Sequence, residues 1–367
     1  MKITCLKNHL KEAIFLCEKI TGKNLSLPIL SNILISTNDR NLKLTATNLE
    51  IGIEVEIPAK VEKKGKVAVP ANIISGFISN VSGEENITLE SQNNNLLLSV
   101  FNSSTLIKGQ QVDDFPIIPQ IGDRKEIEIS ANDFILGLKS VNYASSVSNI
   151  KPEIASIYVC SGKNTPLTFV ATDSFRLAEK KFNYSFPELG SLLVPFRTVA
   201  ETLRIFEGRE GKIKLSTDKN QISIELDNIK FISRLTEGIF PDYQQIIPQK
   251  FTADVIVDKN IFTNSLKTAS IFSGKLNELT IIVGSDKGSM TLKTSSADVG
   301  EHTAKIQAKA TGEELKMAFN YKYIADCLPH IPSLKILLRF VGEGKPLLIT
   351  GSEDTTFQYL VMPMNTL

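Results

Sequence analysis

Apolar and polar residues alternate along many short stretches of this chain. Three of these stretches are ITLESQNNNLLLSV at 87–100, KIKLSTDKNQISIEL at 212–226 and TIIVGSDKGSMTLK at 280–293. Because successive side chains of a strand point to opposite faces, alternation predicts strands with one buried and one solvated face. The polar residues in the middle of each stretch predict a turn, so the flanking strands are expected to be antiparallel.

Other stretches have apolar residues at helical spacing. They are LKNHLKEAIFLCEKI at 6–20, SANDFILGLKSVNYA at 130–144 and VDKNIFTNSLKTASIF at 257–272. In the last of these, Phe262, Leu266 and Ala269 are three or four residues apart, which places them on one face of a helix. The chain is therefore predicted to combine amphipathic helices with antiparallel sheet.

The chain also resembles itself at a long period. LTATNLEIGIEVEIPA, FVATDSFRLAEKKF and LKTSSADVGEHTAKI each join two apolar runs by a polar turn, and each precedes a strand end that leads into a helix, in VAVPANIISGFISNV, LLVPFRTVAETLRIF and LKMAFNYKYIADCLPHI. The separations Ala46 to Pro70, Ala171 to Pro195 and Thr294 to Ala318 are all 24 residues. Equal spacing of similar segments indicates a repeated structural unit.

We therefore predict three copies of one α+β domain, at 1–122, 127–248 and 249–367, each with two helices packed on a strand-rich sheet. A chain of 367 residues is long enough for two or three domains with their own cores. The stretches QIGDRKE around Gly122 and PQKFTAD around Lys250 are short, charged and without apolar periodicity, and are the predicted linkers.

Composition limits the classes of function. The 41 Lys and Arg residues nearly balance 40 Asp and Glu residues, so net charge alone indicates neither a nucleic-acid arm nor a membrane-surface partner. Four scattered cysteines suit buried, reduced thiols. The charged start MKITCLKNHLKEAIF does not resemble a signal peptide, and no window is apolar enough for a membrane span, so a cytoplasmic location is expected.

A search for catalytic groups gives only weak candidates. The three histidines, His9, His302 and His330, form no metal-binding motif, and GEGKP at 342–346 lacks the residues of a phosphate loop, which predicts a turn. Asp173 and Arg176 could form a catalytic pair. The residue types favour a structural role, with Asp173 bonding the backbone of its own turn and Arg176 pairing with a nearby acid. We predict neither enzymatic activity nor a cofactor.

Four segments carry a more specific resemblance. LPILSNILI at 27–35, VATDSFRLA at 170–178, FPDYQQIIP at 240–248 and YLVMPM at 359–364 resemble, in the same order, characteristic segments of bacterial DNA polymerase III beta subunits, the sliding clamps. That resemblance implies a head-to-tail homodimeric ring, with helices lining a hole for duplex DNA and sheets outside. It also implies a processivity factor that tethers the polymerase III alpha subunit and is opened by a clamp loader.

In that family, a shallow apolar pocket binds short partner peptides, usually a glutamine followed by spaced leucine and phenylalanine, from polymerases and repair factors. By motif match the resemblance places the pocket at Thr172, Arg176, Leu177, Pro241, Ile246, Leu360, Met362, Pro363 and Met364. The apolar members could also be ordinary core residues. Ser174, Phe175, Gln245 and the tail Asn365, Thr366 and Leu367 depart from the family pattern, which leaves the peptide preference open.

The resemblance also implies a DNA-facing surface and a dimer interface. Lys23 and Lys151 in loops and Arg197 and Arg204 on the fourth helix are the expected DNA-facing cations, among a small excess of basic residues on the helices that includes Lys7 and Lys259. The expected interface residues are Ile107, Ile271 and Phe272, which could instead belong to domain cores. Two alternatives remain at this point: a peptide-binding scaffold that never encircles DNA, and a hydrolase that uses Asp173.

Overall fold

The computed structural model describes residues 1–22, 26–83, 86–100, 103–119, 121, 125–148, 150–163, 165–184 and 186–364. Within these residues there are six α-helices: α1 Lys7–Ile20, α2 Ala71–Asn80, α3 Ala131–Val141, α4 Phe196–Phe206, α5 Lys259–Ser270 and α6 Tyr321–Cys327. Each lies inside a stretch that the sequence predicts to be helical. A short 3-10 turn, Leu328–His330, follows α6.

The strands are β1 Lys2–Leu6, β2 Asn32–Thr37, β3 Asn41–Thr47, β4 Ile51–Pro58, β5 Lys60–Lys63, β6 Lys66–Pro70, β7 Asn86–Gln92, β8 Asn95–Val100, β9 Ser103–Ile107, β10 Lys125–Ser130, β11 Ser156–Gly162, β12 Thr165–Thr172, β13 Arg176–Lys181, β14 Gly190–Pro195, β15 Lys212–Thr217, β16 Gln221–Leu226, β17 Ile229–Arg234, β18 Ala253–Asp258, β19 Glu278–Val283, β20 Ser289–Ser296, β21 Gly300–Gly312, β22 Leu315–Asn320, β23 Lys335–Phe340, β24 Leu347–Gly351 and β25 Phe357–Val361. The strand pairings among the described residues are antiparallel, and GEGKP forms the predicted turn between β23 and β24.

The order of elements recurs three times. Each copy has one strand, a helix, a group of strands, a second helix and three final strands: β1 to β9 with α1 and α2, β10 to β17 with α3 and α4, and β18 to β25 with α5 and α6. The first copy differs by one additional short strand, β5. The threefold α+β repeat is therefore present in the structure, whereas the precise domain limits remain predictions.

The chain forms two compact units, and the boundaries between them fall within α3, within α4 and after Leu235. The first unit, residues 1–134 and 201–235, holds a five-stranded sheet in the order β5-β1-β7-β8-β9 and an eight-stranded sheet in the order β10-β15-β16-β17-β4-β3-β2-β6. Helix α1 packs on β3, β4 and α2. Its buried residues, including Leu10, Ile14 and Cys17, complete the core with the inner face of the sheet.

The second unit, residues 135–200 and 236–367, holds a twelve-stranded sheet in the order β14-β11-β12-β13-β25-β24-β23-β18-β21-β20-β19-β22. Helix α5 packs on β20, β21 and α6, and Phe262, Leu266 and Ala269 are buried there as their spacing predicts. Strand β25, at the end of the chain, pairs with β13 of the second copy. This pairing brings segments about 180 positions apart in the sequence onto adjacent strands of one sheet.

Adjacent copies join in the same way. The third strand after the first helix of one copy pairs with the last strand of the next: β4 with β17, and β13 with β25. The first junction lies inside the first unit and the second inside the second unit. The equivalent strand of the third copy is β21, which pairs with β18 only through residues 308–312.

One of the three repeat spacings joins residues that are not equivalent. Pro70 and Pro195 end β6 and β14, but the residue that ends β22 is Asn320, not Ala318. Ala46 and Ala171 are the penultimate residues of β3 and β12, the second strand after the first helix of each copy. The equivalent strand of the third copy is β20, so the third separation is Ser295 to Asn320, or 25 residues. The first two spacings are correct, and the third copy is longer by one residue.

Candidate peptide-binding site

The turn between β12 and β13 is held by its own polar side chains. The hydroxyl of Thr172 donates to the carbonyl oxygen of Arg176 at 2.7 Å. Oδ1 of Asp173 accepts from the backbone N–H groups of Phe175 and Arg176 at 2.9 and 3.0 Å, and Oδ2 accepts from Nε of Arg176 at 2.9 Å. Both carboxylate oxygens of Asp173 are thus engaged within the turn, which supports its structural interpretation.

The same turn occurs in the first copy, which shows why the sequence folds this way. Thr47 donates to the carbonyl of Ile51, and Asn48 accepts from two backbone N–H groups as Asp173 does. The next residue has positive φ in both turns, 76° at Leu49 and 78° at Ser174. The strained residue of the second turn is followed by Phe175, whose side chain is 60% exposed.

Arg176 is fixed on one face of β13. Its guanidinium pairs with Asp173 and with Asp326 at 2.6 Å, and it lies over the ring of Tyr323 at 4.6 Å. Burial alone would lower the pKa of Arg176, but Tyr359 and the hydrogen-bonded carboxylates of Asp326 and Asp173 raise it. The side chain is therefore a fixed cation beside α6, and it is separate from the apolar cluster on the other face of β13.

Leu177, the next residue, faces that apolar cluster. It lies directly opposite Leu360 across the β13–β25 pair, and the two are only 1% and 3% exposed. The cluster, called here the β13–β25 cluster, consists of Val170, Leu177, Leu193, Phe240, Tyr243, Leu348 and Leu360, with Tyr158, Ile247 and Phe251 packed against it. Leu177 and Leu360 thus form a buried floor, because residues of the segment 240–251 pack over them.

The exposed apolar residues of the predicted pocket lie around this floor. Met362 is 40% exposed, and its backbone N–H donates to the carbonyl of Phe175 at 2.8 Å, which places the two residues side by side. Ile246 is 53% exposed and Pro241 is exposed, both in the segment that covers the cluster. Pro363 and Met364 are half-buried, and Met364 donates to the carbonyl of Ala318 at 2.8 Å.

A buried carboxylate fixes the covering segment to the sheet, and sequence reasoning missed it. Glu179 is 1% exposed; it accepts from the hydroxyl of Tyr243 at 2.6 Å, pairs with Lys181 at 2.7 Å and bonds Gln358. Burial and the hydrogen bond to Glu179 raise the pKa of Tyr243 well above its usual value. An acid between Ala178 and Lys180 in RLAEKK is a weak signal, since only the fold shows which face Glu179 occupies.

Three of the four expected DNA-facing cations lie within the described residues. Lys23 lies outside the described residues, and Lys151 is exposed in the turns before β11. Arg197 and Arg204 are exposed on α4, whose Val199 and Phe206 are buried and whose Leu203 is half-buried, and Arg204 pairs with Glu201. These residues can contact a ligand, but no contact within the chain identifies that ligand as DNA.

Two of the helix cations have a structural role instead. The ammonium of Lys7, the first residue of α1, donates to the carbonyls of Val81 at 3.1 Å and of Gly83 just beyond α2. Lys259, the first residue of α5, donates in the same way to Ile331 at 2.6 Å, beyond α6 and its 3-10 turn. Both ammonium groups satisfy carbonyls beyond a helix end, so these two lysines do not belong with the DNA-facing cations.

The predicted interface residues differ in exposure. Ile271 is 64% exposed at the end of α5, and the ring of Phe272 stacks on that of His302 at 5.7 Å. Ile107 is 3% exposed and pairs with the buried Leu96, whereas the neighbouring Leu106 is 52% exposed on β9. Within one chain, Ile107 therefore belongs to the core, and Leu106 is the exposed apolar side chain of β9.

Other chemistry is limited in the described part of the chain. No group of three or more His, Cys, Asp or Glu residues there is arranged to hold a metal ion. Burial raises the pKa of the Cys5 thiol to about 12, and it raises the pKa of Cys17 and Cys327 further. Among the described helices, none combines the length and apolar character needed to cross a membrane.

Comparison with known proteins adds three family matches that together span nearly the whole chain. The models are described as the N-terminal, central and C-terminal domains of the DNA polymerase III beta subunit, and they match residues 1–119, 128–242 and 244–365. The chain is 26% identical to the beta sliding clamp of Synechococcus elongatus over 374 residues, which covers 99% of both chains.

Solved structures agree along the full length. The DNA polymerase sliding clamp from Bacillus subtilis is 25% identical with a TM-score of 0.94, and all of both chains is covered. The DNA polymerase III subunit beta from Pseudomonas aeruginosa is 20% identical, again with full coverage of both chains, and has a TM-score of 0.95; at that identity the likeness establishes the fold alone.

Proposed function

The chain belongs to the DNA polymerase III beta subunit family, and from this premise we propose how it works as a sliding clamp. It is a processivity factor: two copies form a ring around duplex DNA and tether the replicative polymerase to it. The single observation that carries this function is the match of all three domains of the family along one chain. A tethered polymerase stays at high effective concentration near the primer end, so its dissociation is quickly reversed.

The junctions between copies support closure by a second chain. Within the chain, β4 pairs with β17 and β13 with β25, each joining the third strand of one group to the last strand of the next copy. The strands left for an equivalent junction are β21, through residues 300–307, and β9, the last strand of the first copy. We place the dimer interface there, with Leu106, Ile271 and Phe272 as its apolar contacts, because pairing would also cover two open strand edges.

The site around the β13–β25 cluster is the proposed peptide pocket. Leu177 and Leu360 form its floor, Thr172 holds the turn, and Pro241, Ile246, Met362, Pro363 and Met364 form its walls beside the exposed Phe175. Arg176 is proposed to position the turn rather than to contact the peptide, since it pairs with Asp173 and Asp326. Methionine walls adapt to different apolar side chains, which suits a pocket shared by several partners.

The proposed partners follow from family membership. They are the DNA polymerase III alpha subunit, a clamp loader, and other polymerases and repair factors that carry a clamp-binding peptide, all acting in the cytoplasm. Contact with DNA through Lys151, Arg197 and Arg204, and through Lys23, is proposed to be weak, because a clamp that slides cannot neutralise many phosphates. Asp173 is proposed to have no catalytic role, since both of its carboxylate oxygens hold the turn.

Retention on circular DNA tests the whole proposal. The protein is loaded by a bacterial clamp loader onto a nicked plasmid and passed through a sizing column in high salt, before and after the plasmid is linearised. It should remain on the circle and leave the linear DNA, a contrast that electrostatic binding alone cannot produce. Equal loss from both forms would exclude encirclement and favour the alternative of a peptide-binding scaffold.

A further inference from the structure

A polar groove of ≈ 430 Å³ lies next to the β13–β25 cluster. Its apolar side includes Ile247 and Leu348, which also belong to or pack against that cluster, so groove and cluster are continuous. Its polar side includes Lys181, Gln358 and Arg339. The groove therefore offers charged and amide groups directly beside the proposed peptide pocket.

Strand pairing gives the distance between the two sites. Leu177 pairs with Leu360, Leu360 with Leu348, and Leu348 with Arg339, so these four residues form one row across β13, β25, β24 and β23. Neighbouring strands are about 4.8 Å apart, so the backbone of Arg339 lies about 10 Å from that of Leu360 and about 14 Å from that of Leu177. An extended peptide advances about 3.3 Å per residue, so these distances correspond to about three or four residues.

Part of the Arg339 guanidinium lacks a hydrogen-bond partner among the described residues. Its guanidinium lies over the ring of Phe251 at 5.2 Å, and its Nε is buried without a hydrogen-bond acceptor among the described residues. A buried donor left unsatisfied costs free energy, and a carboxylate that accepts from a guanidinium is among the stronger charge-assisted partners. A ligand carboxylate would satisfy Arg339 and would keep its stacking on Phe251.

The nearby acids do not supply that carboxylate. Glu179, on the same face of the sheet, is already held by Lys181, Tyr243 and Gln358. Asp254 lies opposite Arg339 across the β18–β23 pair, but its Oδ1 is also buried without a partner and the two side chains form no ion pair. Asp254 could therefore compete for Arg339, and the experiment must distinguish this acid from a peptide carboxylate.

We propose that the groove is a charge-selective extension of the peptide pocket. In it, Arg339 receives the carboxylate of an aspartate or glutamate that lies three or four residues from the peptide's apolar anchor. The inference rests on the proposed peptide-binding function. It adds a determinant of partner choice: peptides that bind the apolar floor equally well are discriminated by the acid beside their anchor.

The test uses pairs of synthetic peptides and the full-length protein. Each peptide has a glutamine followed by spaced leucine and phenylalanine, and a flanking glutamate or glutamine three or four residues from that motif, on either side. Binding is measured by fluorescence anisotropy at low and high salt. In one flanking position the glutamate peptide should bind about tenfold more tightly than its glutamine pair, and salt should reduce this difference.

Two variants assign the effect to the groove. Arg339→Gln should abolish the difference between the paired peptides. Lys335→Gln, an exposed cation at the other end of β23, should keep the difference and is the matched control. The comparison of the two peptides on the unaltered protein needs no variant, so it stands even if Arg339→Gln folds poorly.

Each outcome decides a different question. If paired peptides bind the unaltered protein equally at every position, the extension does not exist. The same conclusion follows if Arg339→Gln keeps the difference between the peptides but loses stability, because Arg339 then pairs with Asp254. In both cases the apolar pocket itself stands, because the glutamine peptides still bind. If no peptide of either kind binds the unaltered protein, the proposed pocket fails and the extension fails with it.

Discussion

Truncation of the two exposed apolar side chains at the rim, Phe175 and Met362, should weaken peptide binding without unfolding the protein. The two residues are adjacent, joined by the hydrogen bond from the N–H of Met362 to the carbonyl of Phe175 at 2.8 Å. Their side chains are 60% and 40% exposed, so each can still lose water-accessible apolar area to a ligand. A side chain that is already buried cannot contribute in this way.

The magnitudes follow from these exposures. Complete burial of a Met or Phe side chain contributes about 1.5–3 kcal/mol. The exposed 40% of Met362 is then worth about 1 kcal/mol, or about fivefold in Kd, and the 60% of Phe175 about 1–2 kcal/mol, or about five- to thirtyfold. Phe175→Ala with Met362→Ala should lose about the sum, with any departure reporting their mutual contact.

Binding of the labelled peptide by anisotropy is the assay, with urea unfolding and sedimentation as checks on fold and dimer. Phe175→Ala and Met362→Ala should each shift the unfolding free energy by less than about 1 kcal/mol, as surface substitutions do. Leu177→Ala is the contrasting variant: at 1% exposure it should cost about 2–5 kcal/mol of stability. Unchanged peptide affinity in the double variant, with the fold intact, would refute the placement of the rim.

Three further predictions concern the interface, the turn and a half-buried histidine. Leu106→Asp with Ile271→Asp should give monomers in sedimentation that still bind peptide, and a persisting dimer would exclude the β9–β21 interface. Asp173→Ala removes two backbone hydrogen bonds and an ion pair and should lower the unfolding free energy by about 2–3 kcal/mol; Asp173→Asn keeps an oxygen at Oδ1 and should cost less, so equal costs would contradict the turn mechanism. Burial, and then the charge of Lys139, lower the pKa of His330. The unfolded chain therefore takes up this proton first, and stability should fall as pH decreases below about 6.5. His330→Phe, which keeps the ring stacked on Tyr143 at 4.6 Å, should make the loss of stability smaller, and an equal pH slope in both proteins would show that another group controls it.

The sequence by itself determined the order of elements. Alternation and helical spacing are local properties, and they placed α1 to α6 and the hairpins at 87–100, 212–226 and 280–293 where the structure has them. The threefold repeat was equally visible, because each copy buries its faces in the same way. Resemblance at VATDSFRLA and YLVMPM also indicated that β13 and the end of the chain share a site, and β13 pairs with β25.

Only the tertiary structure decided which face of each strand is used and by what. Periodicity separates Arg176 from Leu177, but the packing of α6 and of the segment 240–251 determines that one joins an ion-pair network and the other a buried floor. In the same way Ile107 faces inward and Leu106 outward, and Lys7 binds carbonyls beyond α2. These outcomes depend on contacts between residues distant in sequence, and local hydrophobicity carries no information about such partners.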